Sequence, residues 1–336
     1  MLNAIQPSQR RFDFARRVEL PQGGWFRREE AIMGTAVSVE LWADDARAAQ
    51  AALAAVMDEM HRIDRVMSPH KGGSELSRIN REAAQRAVPL TEEMFRLIAR
   101  ALEFTQLSGG AFDITYAAAG QLYDYRAGVR PDDATLERAR GLIGARFLQL
   151  DRDKHTLRFD KPGMRIDLGG FAKGHAVDNA AAILRRRGIR HAYISAGGDS
   201  RVIGDRRGRP WTVAIRDPRR EGQVVAVLPL EDVSVSTSGD YERYFDEGGP
   251  AGAVRHHHLI DPATGRSPDH VRSVTVLADD GLTSEALSKA VFVLGAQRGL
   301  ALVDSLAGVD AVVVDAMGAL HASAGLLDAG QPALCQ

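Results

Sequence analysis

V-S-T-S-G-D-Y-E-R-Y-F at 235–245, then a short Gly-rich insert and R-H-H-H-L-I-D-P-A-T-G at 255–265, bring a polar turn, three consecutive histidines and an Asp-Pro turn into one short stretch. Ser236-Thr237-Ser238-Gly239-Asp240 reads as a hydroxyl-rich turn in which Gly239 is free to take positive φ and bring backbone close to a ligand. Turns of this kind suit phosphates and nucleotides. His256, His257 and His258 lead into a short apolar strand, Leu259-Ile260, which stops at Asp261-Pro262 because proline cannot continue a ladder and restricts the residue before it. Strand alternation places His256 and His258 on one face and His257 on the other, so one can enter a site while its neighbour packs. Consecutive strand positions diverge, which argues against one ion held by all three. Any single histidine here also reads as a polar strand end; the motifs around them carry the functional reading.

Those motifs recur along the chain. Met33-Gly34-Thr35, M-S-P-H-K-G-G-S-E-L-S-R-I-N at 67–80, G-G-A-F-D-I-T at 109–115, I-D-L-G-G-F-A-K-G-H-A-V-D at 166–178, A-G-G-D at 196–199 and W-T-V-A-I-R-D-P at 211–218 join the opening stretch. In order and spacing, over roughly 30–325, they resemble the ApbE family of flavin transferases, which move FMN from FAD onto a threonine of a target flavoprotein. The resemblance implies FAD as substrate and a flavoprotein partner that presents the acceptor threonine.

Composition sets the outer bounds. A chain of 336 residues with 45% apolar residues can bury a full core and lies between one large domain and two smaller ones. With 43 basic against 44 acidic side chains there is no field to gather nucleic acid. Cys335, the single cysteine, forms no internal disulfide and reads as an inert tail thiol. Residues 1–30 carry three Arg-Arg pairs without an apolar run or a lipobox cysteine, and no stretch approaches the roughly 20 apolar residues of a membrane span. The expectation is a cytoplasmic protein as given, or a periplasmic, membrane-anchored one if a leader precedes it.

Ala36–Trp42 alternates as a half-buried strand, and Asp44 N-caps a helix to Met67 whose apolar residues recur at helical spacing. Thr91 N-caps a second helix that runs to about Ser108. Further on come a helix over Asp133–Gly141, strands near 147–150, 156–159 and 165–168, a helix from Lys173 to Arg187 and a strand at Ala192–Ser195. Helices and strands mix in both halves without a linker. The expected fold is α+β: an N-terminal extension over 1–30, two closely joined lobes of about 31–160 and 161–325 with a flavin cleft between them, and a tail over 326–336.

FAD offers a pyrophosphate, polyols and flat rings, so its site needs close-approaching backbone, a few donors and apolar walls. Ile166–Gly174 meets that need: an apolar run enters a double glycine at the start of a helix, whose N-terminal dipole favours phosphate, although an ordinary strand-to-helix connection has the same pattern. By resemblance, Asp167 and Lys173 contact FAD, as do Met33, Ala111, Phe112 and Asp113, with Thr237, Ser238, Gly239 and Leu259 from the opening stretch. Met33 on its own reads as core, and Asp113 as a turn cap. His70 falls where the family carries a tyrosine that stacks on flavin, and Ala117–Gly120 with Leu122-Tyr123 replaces the family's Pro-Leu and Trp-Gly, which changes the pocket wall.

The resemblance places the catalytic base at His258, a residue type whose unperturbed pKa of about 6.5 suits general-base work near neutral pH. Asp261 would support the turn or orient the ring. The implied reaction is attack of the acceptor threonine on the FMN-side phosphorus with AMP expelled; alternatives are a flavin carrier without transfer, and an FAD pyrophosphatase yielding FMN and AMP.

One departure stands out. Where the family carries an Asp and, four residues later, a Thr that ligate Mg²⁺, this chain has Glu285 and Lys289 in S-E-A-L-S-K-A at 284–290. At i, i+4 on a helix the two also make an ordinary surface pair. A charged ammonium cannot ligate a cation. Three outcomes are open: a metal-independent transferase, a weakened Mg²⁺ site built from Gly170, Glu285 and Ser288, or a flavin-binding relative that no longer transfers.

Overall fold

A computed structural model describes residues 23–248 and 252–328. The hairpin of β1 (Gly24–Ile32) and β2 (Thr35–Ala43) is followed by α1 (Ala46–Met67), α2 (Glu75–Glu82), the short β3 (Val88–Pro89) and α3 (Glu92–Leu107). After a single turn at Ile114–Tyr116 come α4 (Ala117–Gly120), α5 (Asp133–Arg140), β4 (Leu148–Asp151), β5 (Thr156–Phe159) and α6 (Ala172–Arg186). The remainder runs β6 (Ala192–Ala196), β7 (Asp199–Ile203), β8 (Trp211–Arg216), β9 (Val224–Leu230), β10 (Ser234–Gly239), β11 (Tyr244–Glu247) and β12 (Val254–His257). It closes with β13 (Val271–Ala278), α7 (Gly281–Asp304), β14 (Asp310–Asp315), β15 (Leu320–Ala322) and α8 (Ala324–Asp328).

The class is α+β. An antiparallel sheet in the order β1-β2-β6-β7-β10-β13-β14-β15 forms the frame, with α1, α6 and α7 packed on it. Because β2 pairs with β6 residue by residue from Val37↔Ala196 to Leu41↔Ala192, the frame crosses the division expected near residue 160. Alternation drives this pairing: Val37, Val39 and Leu41 of β2 and Ala192, Ile194 and Ala196 of β6 are fully buried. On α1 the stripe Leu53, Val56, Met57, Met60 and Ile63 is buried at helical spacing, and each such side chain contributes roughly 1.5–3 kcal/mol.

Several expectations need correction. The N-terminal extension does not reach residue 30, since β1 begins at Gly24 and Trp25 packs edge-on against Trp42 and Trp211 at 5.6 and 5.4 Å. Residues 1–22, 329–336 and with them Cys335 lie outside the described residues; the expected tail begins inside α8. The cap of α1 is Asp45, which accepts from Ala48 N at 2.7 Å, one residue later than expected. Arg165–Leu168 joins no sheet, because the Asn80 side chain occupies both backbone groups of Ile166 at 2.9 Å as a neighbouring strand would. Leu259-Ile260 is not a strand either: β12 ends at His257, and both apolar residues are buried in loop conformation.

Of the stretch Ser236–Asp240, expected as a turn, Ser236–Gly239 is instead the end of β10, in register with β13, and the turn begins at Asp240. Gly239 does not take positive φ; glycine is required there because a Cβ would meet the Tyr241 ring at 2.3 Å. Among the described residues, α7 is long and apolar enough to cross a membrane by length and composition. Half of its apolar window is buried in this fold, and it packs on β10, β13, β14 and α6.

Candidate active site

The N-terminal half of α7 crosses the start of α6 with backbone almost in contact. A Cβ on Gly174 would lie 2.1 Å from Gly281 O, and one on Gly281 would lie 2.5 Å from Gly174 O. Asp178 locks the crossing by accepting from Gly281 N at 2.8 Å and Leu282 N at 3.2 Å, a carboxylate on the positive end of a helix. Burial pushes the Asp178 carboxyl up. This closeness puts Lys173 of α6 and Glu285 of α7 side by side.

Glu285 is fully buried, so the surface-pair reading fails. Its Oε1 accepts from Lys173 Nζ at 2.6 Å and Lys289 Nζ at 3.3 Å, and its Oε2 from Gly174 N at 2.6 Å. Lys173 also pairs with the buried Asp199. Burial works against the Lys173 charge, but Asp199 and Glu285 outweigh it and hold the ammonium above its usual pKa. Asp199 responds in kind: burial raises its carboxyl, yet Lys173 and Lys289 pull it below the ordinary value. Among the described residues, nothing bonds Asp199 Oδ1, which is buried. The result is a pair of ammonium groups interleaved with a pair of carboxylates.

Strand β10 lines the other flank. Ser236 Oγ lies 2.8 Å from Ser284 Oγ of α7 and Ser238 Oγ 2.8 Å from Ser288 Oγ, while Thr237, on the opposite face, bonds Thr275 at 2.9 Å. Strand alternation therefore separates Thr237 from the α7 side that Ser238 faces.

His258 follows β12, and its backbone N donates to Arg243 O at 3.1 Å, extending the β11–β12 hairpin by one bond. Burial, reinforced by the neighbouring His257, Arg243 and Lys289, pushes the imidazole down to about 3, so His258 is neutral. Among the described residues its buried Nδ1 has no partner. His256 lies against Glu247 and Phe245, and His257 reaches Pro268 O at 2.9 Å and the edge of Phe292, although its buried Nδ1, like that of His258, has no partner among the described residues. Asp261 supports the turn and leaves the ring alone, since its carboxylate binds Ala263 N at 2.8 Å and Thr264 Oγ1 at 3.3 Å.

Asp167 completes the mouth. Burial raises its carboxyl, opposed by a bond from Gly169 N and by the charges of His70, Arg165 and Arg243. Tyr116, whose phenol burial drives well above its ordinary pKa, senses Asp167, Tyr125, Arg243 and Glu285 together. His70, Asp167, Gly170, Lys173, Ser238, His258, Glu285 and Ser288 thus share one region. Met33 approaches from the β1–β2 hairpin, whose two-residue turn holds Met33 at φ 54° and Gly34 at φ 71°, with Arg243 beside Gly34. A methionine in the left-handed region is uncommon and costs backbone strain.

The segment 111–113 is committed differently. Phe112 is buried against Phe104 and Phe171 in the core. Both oxygens of Asp113 serve the fold, Oδ1 accepting from Thr115 N at 2.8 Å and Oδ2 from Ala145 N at 2.8 Å; Asp113 is a turn cap and cross-brace. Ala111 is half-buried at the same loop, and Leu259 is buried in the main core. Sequence reasoning left Asp199, Arg243 and Tyr116 without a role. For Asp199 a signal existed, an acid directly after the double glycine of A-G-G-D.

Chemically, the region offers a neutral imidazole with an unpaired nitrogen, two ammonium groups, and backbone freed of side chains at Gly169-Gly170. That set fits a ligand with a pyrophosphate and a nucleophile that must lose a proton.

The family model of the ApbE family matches residues 33–313. The chain is 34% identical over 324 residues to an FAD:protein FMN transferase of Treponema pallidum, across 90% of this chain and 88% of that protein. The crystal structure of the ApbE protein from Thermotoga maritima superposes with a TM-score of 0.83 at 32% identity, covering 90% of this chain and 98% of that one. Flavin transferase ApbE from Vibrio cholerae gives 0.80 at 26% identity, covering 91% and 99%. With the match spanning most of its length in both sequence and fold, the chain belongs to the ApbE family.

Proposed function

We propose that this chain is an FAD:protein FMN transferase. The acceptor threonine Oγ attacks the FMN-side phosphorus of FAD; a new P–O bond forms, the bond between the two phosphorus centres' bridging oxygen and the FMN phosphorus breaks, and AMP leaves with that oxygen. His258 takes the threonine proton. The observation that carries this reading is the neutral His258 held beside the Lys289–Glu285–Lys173–Asp199 cluster. The uncharged imidazole is the form that accepts the proton, and the burial that keeps it uncharged also lowers its basicity.

Asp167 and the backbone at Gly169-Gly170, flanked by the Asp167 carboxylate and the Lys289 stem, are proposed to hold FAD, with Met33, His70 and Tyr116 around the flavin end. Phosphoryl transfer asks little covalent work of a protein, so positioning and charge neutralisation supply most of the rate. The partner is a flavoprotein presenting a threonine.

The test is to incubate the purified chain with FAD and a flavoprotein domain bearing an acceptor threonine, and to read covalent FMN by intact mass. Transfer to the threonine, absent when that residue is alanine, is the expected result. Free FMN and AMP without protein labelling, or tight FAD binding with neither product, would overturn it.

A further inference from the structure

The family's divalent ion does not fit the residues that stand at its place. Lys289 occupies the position of a ligand with an ammonium that has no lone pair. Its stem lies over Gly170, with Cε, Cγ and Cδ 3.5–3.8 Å from where a Cβ on that glycine would be. Both oxygens of Glu285 are taken, by Lys173, Lys289 and Gly174 N. Ser288 Oγ sits 2.8 Å from both Ser238 Oγ and Glu285 O. Among the described residues no group of three or more His, Cys, Asp or Glu side chains is arranged to hold a metal ion. Asp199 Oδ1 is the one open carboxylate oxygen in the cluster. Mg²⁺ demands near-octahedral oxygen coordination, and a single open oxygen beside two ammonium groups does not provide it.

We propose that Lys289 is the built-in cation of this site, a positioning residue whose ammonium takes the place of a divalent ion beside the pyrophosphate. Charge balance favours it. Two carboxylates, Asp199 and Glu285, already face two ammonium groups, Lys173 and Lys289, so a dication could enter only by expelling one of them. The Lys289 side chain is 19% exposed, which leaves its head reachable by a bound phosphate while its stem is packed. One fixed positive charge thereby neutralises the charge that grows on the departing AMP phosphate, without metal exchange. The transfer arm of the test rests on the transferase reading; the metal-binding arm does not.

The experiment compares the wild-type chain with Lys289→Thr and Lys289→Ala, each in excess EDTA and in millimolar Mg²⁺. Three quantities are read: heat of Mg²⁺ binding by calorimetry on the FAD-loaded protein, FAD affinity by flavin fluorescence, and covalent FMN by mass. For the wild type the expected result is no Mg²⁺ binding and the same FAD affinity and transfer in both buffers. Lys289→Ala should lose about tenfold or more in FAD affinity, as befits removal of a charge-assisted contact. Lys289→Thr, which restores a hydroxyl, should lose the same in EDTA and regain it with Mg²⁺. A merely structural lysine would not create this metal dependence. Glu285 keeps Lys173 as a partner in every variant, and thermal melts check that each is folded. Binding of Mg²⁺ to the wild type, or wild-type FAD binding lost in EDTA and recovered with Mg²⁺, would sink the proposal even if no transfer occurs in any buffer. Absence of transfer with metal-independent FAD binding overturns the transferase reading and leaves this one standing.

Discussion

Two ion networks flank α6, and they differ in what they leave undone. On one side Arg62 of α1 grips Glu59 and Glu93 with two bonds each at 2.6–2.8 Å, His175 meets Glu93 at 2.7 Å, and Asn179 reaches Glu59 at 2.8 Å. On the other stand Lys173, Lys289, Glu285 and Asp199 with His258 nearby. Both shift pKa values strongly: bonds from His175 and Arg62 hold Glu93 well below the carboxylate range, and bonds from Glu59 and Glu93 raise Arg62. Perturbation alone therefore does not distinguish a site from a brace. The Arg62 network closes on itself, whereas the Lys173 cluster keeps a buried Asp199 Oδ1 and a buried His258 Nδ1 without partners among the described residues. A groove of about 930 Å³ lined by Glu93, His175, Arg201 and Asp280 opens by the closed network and reaches neither His258 nor Lys289.

The largest effect that would break this contrast is on rate. His258→Asn should lower FMN transfer by about 10²–10⁴-fold, the range for loss of a general base, while FAD affinity stays near the wild-type value. Parallel loss of both would make His258 a packing residue. Next in size is Gly174→Ala, whose Cβ would meet Gly281 O at 2.1 Å and force α6 away from α7. Overpacking of this kind costs about 1–3 kcal/mol or more, and FAD affinity should fall with stability because Lys173 and Glu285 separate. An unchanged melting temperature would mean the crossing yields freely. Glu93→Gln, in the closed network, should lose about 1–3 kcal/mol of stability and leave the transfer rate of the folded protein alone; a rate loss exceeding the loss of folded protein would bring that network into the site.

The legible parts of this chain were those set by short-range rules. Alternation in β2, the apolar stripe of α1 and the Thr91 cap of α3 all appear as the residues imply, because burial and capping are decided within one element. What escaped was decided by partners distant in sequence. Ser236–Gly239 has the composition of a turn but is a strand, since β13 pairs with it and α7 supplies hydroxyls to its serines. Ile166 looks like strand yet stands outside every sheet because one asparagine, eighty-six residues earlier, satisfies its backbone. The Glu285–Lys289 spacing could be read, but its burial could not: that follows from two glycines, Gly174 and Gly281, meeting across helices. Of the site, His258, Asp167, Lys173 and Glu285 were singled out by motif, Asp199 lay in the A-G-G-D motif without a role assigned to it, and Arg243 and Tyr116 emerge only once the residue before β11 and the turn before α4 converge.

The smallest effect, and the one that separates the two networks by pH, comes from the neutral histidines. His258 lies at about 3 and His257 also below its usual 6.5, both chiefly through burial. In the unfolded chain each titrates near 6.5, so between there and the folded value the unfolded state holds protons that the folded state lacks. Stability must then fall as pH drops below 6.5, by up to about 1.4 kcal/mol per pH unit for each such histidine. The closed network runs the other way in sequence of failure: Glu59 and Glu93 are depressed below 4.5, so their contribution persists until pH falls beneath that value. Between pH 6.5 and 5 the acid sensitivity should accordingly come from the His258 side. Urea midpoints across that window should show a slope in the wild type that His258→Asn reduces by about one proton, whereas Glu93→Gln keeps it. If the two variants titrate alike, burial does not hold His258 below its ordinary pKa, and the contrast between the two networks fails.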